Sequence, residues 1–64
     1  MLSIIIPSYN EEKNINHTAD VVSDVLESNK IDYEIVFVND GSSDSTWEKM
    51  SELAQERDNI CAVN

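Results

Sequence analysis

The chain has 64 residues, enough for one small domain, and its 13 acidic and 4 basic residues give a formal net charge of -9. So acidic a chain argues against binding to nucleic-acid backbones or docking on anionic membranes, because both need basic patches. Its single cysteine, Cys61, excludes an intrachain disulfide and a multi-cysteine zinc site, and we expect it to be a small buried residue. No apolar run approaches the roughly 20 residues of a membrane span. Together these features predict a cytoplasmic setting.

The first half of the chain predicts a strand followed by a helix. The apolar run Leu2–Ile6 predicts a short buried strand, which we expect Pro7 to end because proline cannot continue a sheet ladder. Asn10, followed by two glutamates, is typical of a helix start. Apolar residues then recur at spacings of three and four, which predicts a helix ending near Ser28–Asn29. These apolar residues are Ile15, Ala19, Val22 and Leu26.

The second half begins with another buried strand, Tyr33–Val38, whose run is apolar on both faces, as in parallel sheets. The turn-forming segment Asn39–Asp44 follows it. A second helix then starts, either with Ser45 and Glu48 in a capping box or with Asp44 as the cap. Its predicted apolar face comprises Trp47, Met50, Leu53 and Ala54.

Ile60–Val63 predicts a third strand, so the element order is β-α-β-α-β. This order predicts an α/β fold with a three-stranded parallel, Rossmann-like sheet. Crossovers between parallel strands are almost always right-handed, so strands added in one direction leave both helices on one face. The other face is apolar but uncovered. We therefore expect either a piece of a longer protein or a second copy that covers this face.

Two polar loops fall at the carboxyl ends of the first two strands, where open parallel sheets bind ligands. They are Pro7–Glu11 and Asn39–Asp44, and a helix follows each of them. The ring of Tyr9 can stack on a nucleobase, and the carboxylate of Asp40 can accept a hydrogen bond from a base N–H. The glycine fingerprints of dinucleotide sites and P-loops are absent, which argues against those two classes.

The two loops also carry a resemblance to a known family. Ile4–Glu12 and Val38–Thr46 together resemble the start of a family 2 glycosyltransferase, and the resemblance covers all 64 residues. Such enzymes have the GT-A fold and use nucleotide-diphosphate sugars. Tyr33–Val38, with the Trp47–Glu48 pair, is similar to the polyprenyl-phosphate sugar transferases of that family. Residues 1–64 are thus expected to be an N-terminal fragment of a nucleotide-sugar-binding domain, a single unit without a second domain.

The resemblance implies nucleotide-binding roles for four residues. Pro7 and Tyr9 would line the base pocket, with Tyr9 stacking on the base. Glu11 would lie near the base or ribose, and Asp40 would accept from the base ring N–H. Asn39 occupies a position where many members carry aspartate, so the role of that acid does not transfer to this chain.

No catalytic residue and no metal ligand is expected within the chain. The resemblance places the acidic metal-binding motif, the catalytic base and the acceptor site beyond the third strand. It implies Mg²⁺ or Mn²⁺ as cofactor of the complete enzyme, a UDP-sugar or GDP-sugar as donor, and a glycan or lipid phosphate as acceptor. The fragment alone is expected to be inactive, and the parent protein to act in the cytoplasm, including at the cytoplasmic side of a membrane.

Two other hypotheses compete with this one. The chain could be a non-enzymatic α/β module that self-associates into a homo-oligomer through its uncovered sheet face. It could also be a small receiver-like domain with an acidic site at the strand ends. The second alternative is disfavoured because the acidic residues cluster after the second strand, not after the first and third.

Overall fold

Three parallel strands form the sheet, and a helix follows each of the first two. The computed structural model describes residues 1–64, with strands β1 (Leu2–Ser8), β2 (Tyr33–Asn39) and β3 (Ile60–Val63) in the order β1-β2-β3. Helix α1 (Ile15–Ser28) connects β1 to β2, and helix α2 (Thr46–Glu56) connects β2 to β3. The predicted α/β class, element order and three-stranded parallel sheet are confirmed.

Strand β1 continues through Pro7 to Ser8, so the predicted end at Pro7 is wrong. This strand lies at the edge of the sheet. The N–H of Leu2 donates to the Asp32 carbonyl at 2.9 Å, and strand N–H groups point alternately to the two sides. The nitrogen of Pro7 therefore points to the open edge, where the sheet needs no donor.

Helix α1 ends at Ser28, as predicted, but it begins at Ile15, not at Asn10. Asn10 has a left-handed backbone with φ of 50° and lies outside the helix. A turn precedes the helix, in which the N–H groups of Asn14 and Ile15 donate to the Glu11 carbonyl at 2.8 and 3.0 Å. Asn14 occupies the N-cap position without a capping side-chain hydrogen bond.

Both helices pack on one face of the sheet, as the handedness of the crossovers predicts. Phe37 and Ile35 of the central strand are completely buried beneath them. The apolar core comprises nine residues, each at most 7% exposed: Ile15, Ala19, Leu26, Tyr33, Ile35, Phe37, Met50, Leu53 and Ile60. The predicted apolar faces of both helices contribute to this single core.

The opposite face of the sheet is not covered by any element of the chain. Ile5 is 58% exposed and Val63 is 48% exposed on this face. Cys61 is also exposed, so the prediction that it is buried is wrong. Side chains alternate along β3, and because Ile60 points into the core, Cys61 points to the other face, beside its register partner Val36.

The residue that follows α2 is also joined to α1 at the surface. The Arg57 guanidinium donates to Asp20 at 2.7 Å, which raises the pKa of Arg57. Neither helix combines the length and the apolar composition that a membrane span requires.

Candidate functional site

The sheet register brings the two strand-end loops side by side. Ser8 and Asn39 are the last paired residues of β1 and β2, so Tyr9 and Asp40 follow them on neighbouring strands. The Asp40 N–H donates to the Ser8 carbonyl at 2.9 Å and extends the pairing beyond the strands. The predicted ring and carboxylate thus come from adjacent points of the edge that the carboxyl ends of the strands form.

Asn10 connects the first loop to the second. Its N–H donates to Ser42 Oγ at 3.0 Å, and its Oδ1 accepts from the Ser43 N–H at 2.8 Å. This use of its side chain explains why Asn10 does not cap α1. Ser42 is held in turn by Asn39, whose Oδ1 accepts the Ser42 N–H at 3.2 Å.

Thr46 and Asp44 make a second connection between the loops. The Glu11 N–H donates to Thr46 Oγ1 at 2.8 Å, and the Glu12 N–H donates to Asp44 Oδ2 at 3.4 Å. Asp44 Oδ1 accepts both the Thr46 N–H, at 3.0 Å, and the Thr46 hydroxyl. These bonds, the Thr46 hydroxyl first among them, lower the pKa of Asp44. Asp44 rather than Ser45 therefore serves the start of α2, since Ser45 makes no capping side-chain bond.

The four side chains predicted to bind a nucleotide all lie on this edge and are exposed. Tyr9 is 58% exposed, so most of its surface is free for a ligand. Glu11 Oε2 accepts from Asn14 Nδ2 at 3.1 Å, which leaves its other oxygen free. The structure contains no enclosed pocket, so Pro7, Tyr9, Glu11 and Asp40 belong to an open surface.

Gly41 shapes the turn that follows Asp40. Its φ of 73° is left-handed, and no neighbouring atom lies within 4 Å of where a Cβ would be. Backbone conformation, not space, therefore favours glycine at this position.

The cross-loop contacts of Asn10 and Thr46 were not predicted from the sequence, where Asn10 is typical of a helix start and Thr46 is the last residue of the Val38–Thr46 motif. One signal could have identified Thr46. It precedes Met50 by four residues and Leu53 by seven, which places it on the buried stripe of α2. A hydroxyl at a buried position needs a hydrogen-bond partner. A threonine on the buried stripe of a helix therefore indicates a hydrogen bond to another segment of the chain.

The structure has no group of three carboxylate, imidazole or thiol side chains that could hold a metal ion. The divalent cation implied by the resemblance is therefore assigned to no residue of this chain.

The chain is similar to known glycosyltransferases. The family model described as glycosyl transferase family 2 matches residues 3–64. The chain is 46% identical over 63 residues to an uncharacterized glycosyltransferase of Synechocystis, covering 98% of this chain and 20% of that protein. It is 42% identical over 55 residues to a dolichol-phosphate mannosyltransferase of Pyrococcus furiosus, covering 86% of this chain and 15% of that protein.

A dolichyl-phosphate beta-glucosyltransferase of Trichomonas vaginalis is 40% identical over 68 residues, covering 98% of this chain and 21% of that protein. The chain thus spans about a fifth of the length of these curated relatives, or less. Its β-α-β-α-β order is consistent with a partial Rossmann-like half of a GT-A domain. The family match over nearly the whole chain, together with these identities, shows that the chain belongs to glycosyl transferase family 2.

Proposed function

We propose that this chain is the nucleotide-binding segment of an enzyme that transfers a sugar from a UDP-sugar or GDP-sugar to a lipid-phosphate acceptor. Family membership supports sugar transfer, and the named activities of the dolichyl-phosphate relatives favour a lipid phosphate over a glycan as acceptor. The observation that carries the proposal is the joined edge, where hydrogen bonds between two loops hold Tyr9 and Asp40 at the ends of neighbouring strands.

The chemistry of this edge suits the base of the donor. An exposed aromatic ring offers a stacking surface, and base–aromatic stacking contributes about 1–3 kcal/mol per base. An ionised carboxylate only accepts hydrogen bonds, so Asp40 selects a base whose ring carries an N–H donor, as uracil and guanine do. Adenine lacks this donor. The free oxygen of Glu11 can accept from a ribose hydroxyl, and Pro7 adds apolar surface beside the ring.

The charge of the segment indicates that it binds nucleotide weakly by itself. The chain carries a net charge of -9, and the diphosphate of the donor is also negative. We therefore expect the complete enzyme to use Mg²⁺ or Mn²⁺ to stabilise the leaving diphosphate, with ligands outside residues 1–64. Holding the nucleotide is the only step we assign to this segment, and the segment alone is inactive in transfer. Because a lipid phosphate is held in a membrane, we propose that the reaction takes place at a membrane, on its cytoplasmic side.

The test is an amide-resolved NMR titration of the chain with UDP, GDP and ATP to several millimolar, with and without Mg²⁺. We expect saturable shifts at Tyr9, Glu11 and Asp40 for UDP or GDP, and none for ATP. Tyr9→Ala and Asp40→Asn should abolish them. Asp24→Asn removes an exposed carboxylate of α1 and is the matched control, which should bind as the unmodified chain does. A dispersed spectrum that responds to none of the three nucleotides would overturn the proposal.

The uncovered sheet face favours a second function, self-association of the chain. Ile5, Cys61 and Val63 are exposed on a face that other parallel sheets bury. A second copy packed on this face would raise the molar mass above the 7.2 kDa of one chain. Light scattering across a range of concentrations tests this, with Ile5→Thr as the variant that should shift the equilibrium towards monomer. A mass of one chain at every concentration rules it out.

A further inference from the structure

The side chains of Tyr9 and Asp40 are not anchored by hydrogen bonds of their own. The bonds of this edge are made by their neighbours, so the two side chains take their positions from the loop backbone. Tyr9 lies between two such links: the Ser8 carbonyl, which accepts from Asp40, and the Asn10 N–H, which donates to Ser42 at 3.0 Å. The relative position of ring and carboxylate therefore depends on what holds the first loop against the second.

Thr46 is the buried member of the connection between the loops. It is 0% exposed, whereas the Asn10 contacts to Ser42 and Ser43 are exposed to solvent. Its hydroxyl accepts the Glu11 N–H at 2.8 Å and donates to Asp44. Among buried side chains of this size only a hydroxyl donates and accepts hydrogen bonds at once.

Thr46 is also the first residue of α2, which packs through Met50 and Leu53 into the core. The Glu11–Thr46 bond therefore attaches the loop after β1 to a rigid element. Without it, the residues between Ser8 and α1 keep only their solvent-exposed links to the second loop and the long bond from Glu12 to Asp44, at 3.4 Å. Water competes with such exposed bonds, which contribute little by themselves.

We infer that Thr46, oriented by Asp44, is a positioning residue of the nucleotide site: it sets the place of the Tyr9 ring relative to the Asp40 carboxylate. This role rests on the proposed nucleotide function and adds to it a residue that does not touch the ligand. The buried hydroxyl is the required feature, and the rest of the side chain fills space.

Two substitutions at position 46 separate the contribution of the hydroxyl from that of the side-chain volume. Thr46→Val keeps the volume and removes the hydroxyl, which leaves the Glu11 N–H without its acceptor. We expect it to raise the dissociation constant for UDP or GDP by about tenfold, the loss typical of one buried hydrogen bond. Thr46→Ser keeps the hydroxyl and should bind within about threefold of the unmodified chain. Thr18→Val, a half-buried threonine of α1 outside this network, is the matched control and should not change binding.

Amide hydrogen exchange gives a readout that needs no nucleotide. In the unmodified chain the Glu11 amide should be protected, because it donates to a buried oxygen. In Thr46→Val its exchange should become about tenfold faster, while the β2 amides of Ile35 and Phe37 keep their protection. Thr46→Ser should restore the slow exchange of Glu11.

The outcomes separate the two proposals. If the unmodified chain binds nucleotide but Thr46→Val changes neither binding nor Glu11 exchange, the positioning role is overturned and the proposed function stands. If no nucleotide binds, the proposed function fails, and exchange still decides whether Thr46 holds the loop. If Thr46→Val also loses protection in β2, Asp44→Ala replaces it. Asp44 is only half-buried, and Asp44→Ala removes the acceptor that orients the Thr46 hydroxyl. An unchanged dissociation constant and unchanged Glu11 exchange in this variant would overturn the role.

Discussion

The two faces of the sheet come from the same three strands, but one face is buried and the other is exposed. On one face, Ile35, Phe37 and Ile60 are at most 3% exposed beneath the two helices. On the other, Ile5 and Val63 are about half exposed, although they are as apolar. The strands are added in one direction, and crossovers between parallel strands are almost always right-handed, so both helices fall on the same side. Apolar composition shows that a strand can be buried, whereas chain topology decides which face is.

The largest expected difference between the faces is in stability, and isoleucine offers a matched pair. Ile35→Ala opens a cavity at a completely buried position and should reduce the free energy of unfolding by about 2–5 kcal/mol. That is comparable with the whole stability of a domain this small. Ile5→Ala, at a position that is 58% exposed, should cost about 0.5 kcal/mol. Urea unfolding followed by circular dichroism measures both. Equal losses would mean that the second face is buried in solution.

The thiol of Cys61 reports directly on the uncovered face. Because it is exposed, we expect it to react with a thiol reagent in the folded chain at a rate within about tenfold of the rate in urea. A buried thiol would react orders of magnitude more slowly. The measurement is the rate of colour release from a disulfide reagent at several chain concentrations. A rate that falls as the concentration rises would show that a second copy covers this face.

Cys61 also shows where the sequence stops being informative. The bounds of β3 and the end of α1 at Ser28 were predicted correctly, because apolar spacing and turn residues are local signals. The face to which Cys61 points was not, because alternation along a strand does not say which set of side chains the helices cover. At the candidate site, local signals again indicated residues but not the contacts between them. Pro7, Tyr9, Glu11 and Asp40 were chosen from local motifs and a family resemblance, and the structure brings their loops together.

The contacts of Asn10 and Thr46 could not be predicted in the same way. Asn10 bonds to residues 32 and 33 positions away, and Thr46 to a residue 35 positions away. Asn10 also had a plausible local use, as a helix cap. Which partner each polar group takes depends on how the strands are registered, and that is decided by the core on the covered face.

Lowering the pH should affect the hydrogen bonds between the two strand-end loops before it affects the packing of the covered face. Hydrogen bonds from Thr46 lower the pKa of Asp44 in the folded chain, so their contribution to stability is present at neutral pH. It is lost as the pH falls below the ordinary aspartate range, about 4, and through the lowered pKa. We expect the Glu12 amide, which donates to Asp44, to shift with this titration while Phe37 does not. An NMR titration that follows the Asp44 carboxyl carbon and the Glu12 amide measures this, and Asp44→Asn should remove the part of the Glu12 shift that follows the Asp44 carboxyl.

A midpoint for Asp44 at or above the ordinary aspartate value would contradict this prediction. It would mean that the bonds from Thr46 do not favour the ionised carboxylate in solution.

The smallest effect is expected from the ion pair that joins the two covering helices. Arg57 and Asp20 are 2.7 Å apart, but their side chains are 35% and 58% exposed, so water and salt screen the attraction. Arg57→Gln should therefore lower the free energy of unfolding by about 0.2–1 kcal/mol, and less at high salt. Urea unfolding at low and high ionic strength measures this, with Lys13→Gln as a control for the loss of one positive charge. A loss as large as that of Ile35→Ala would contradict the view that apolar burial, rather than surface charge, holds the helices on the covered face.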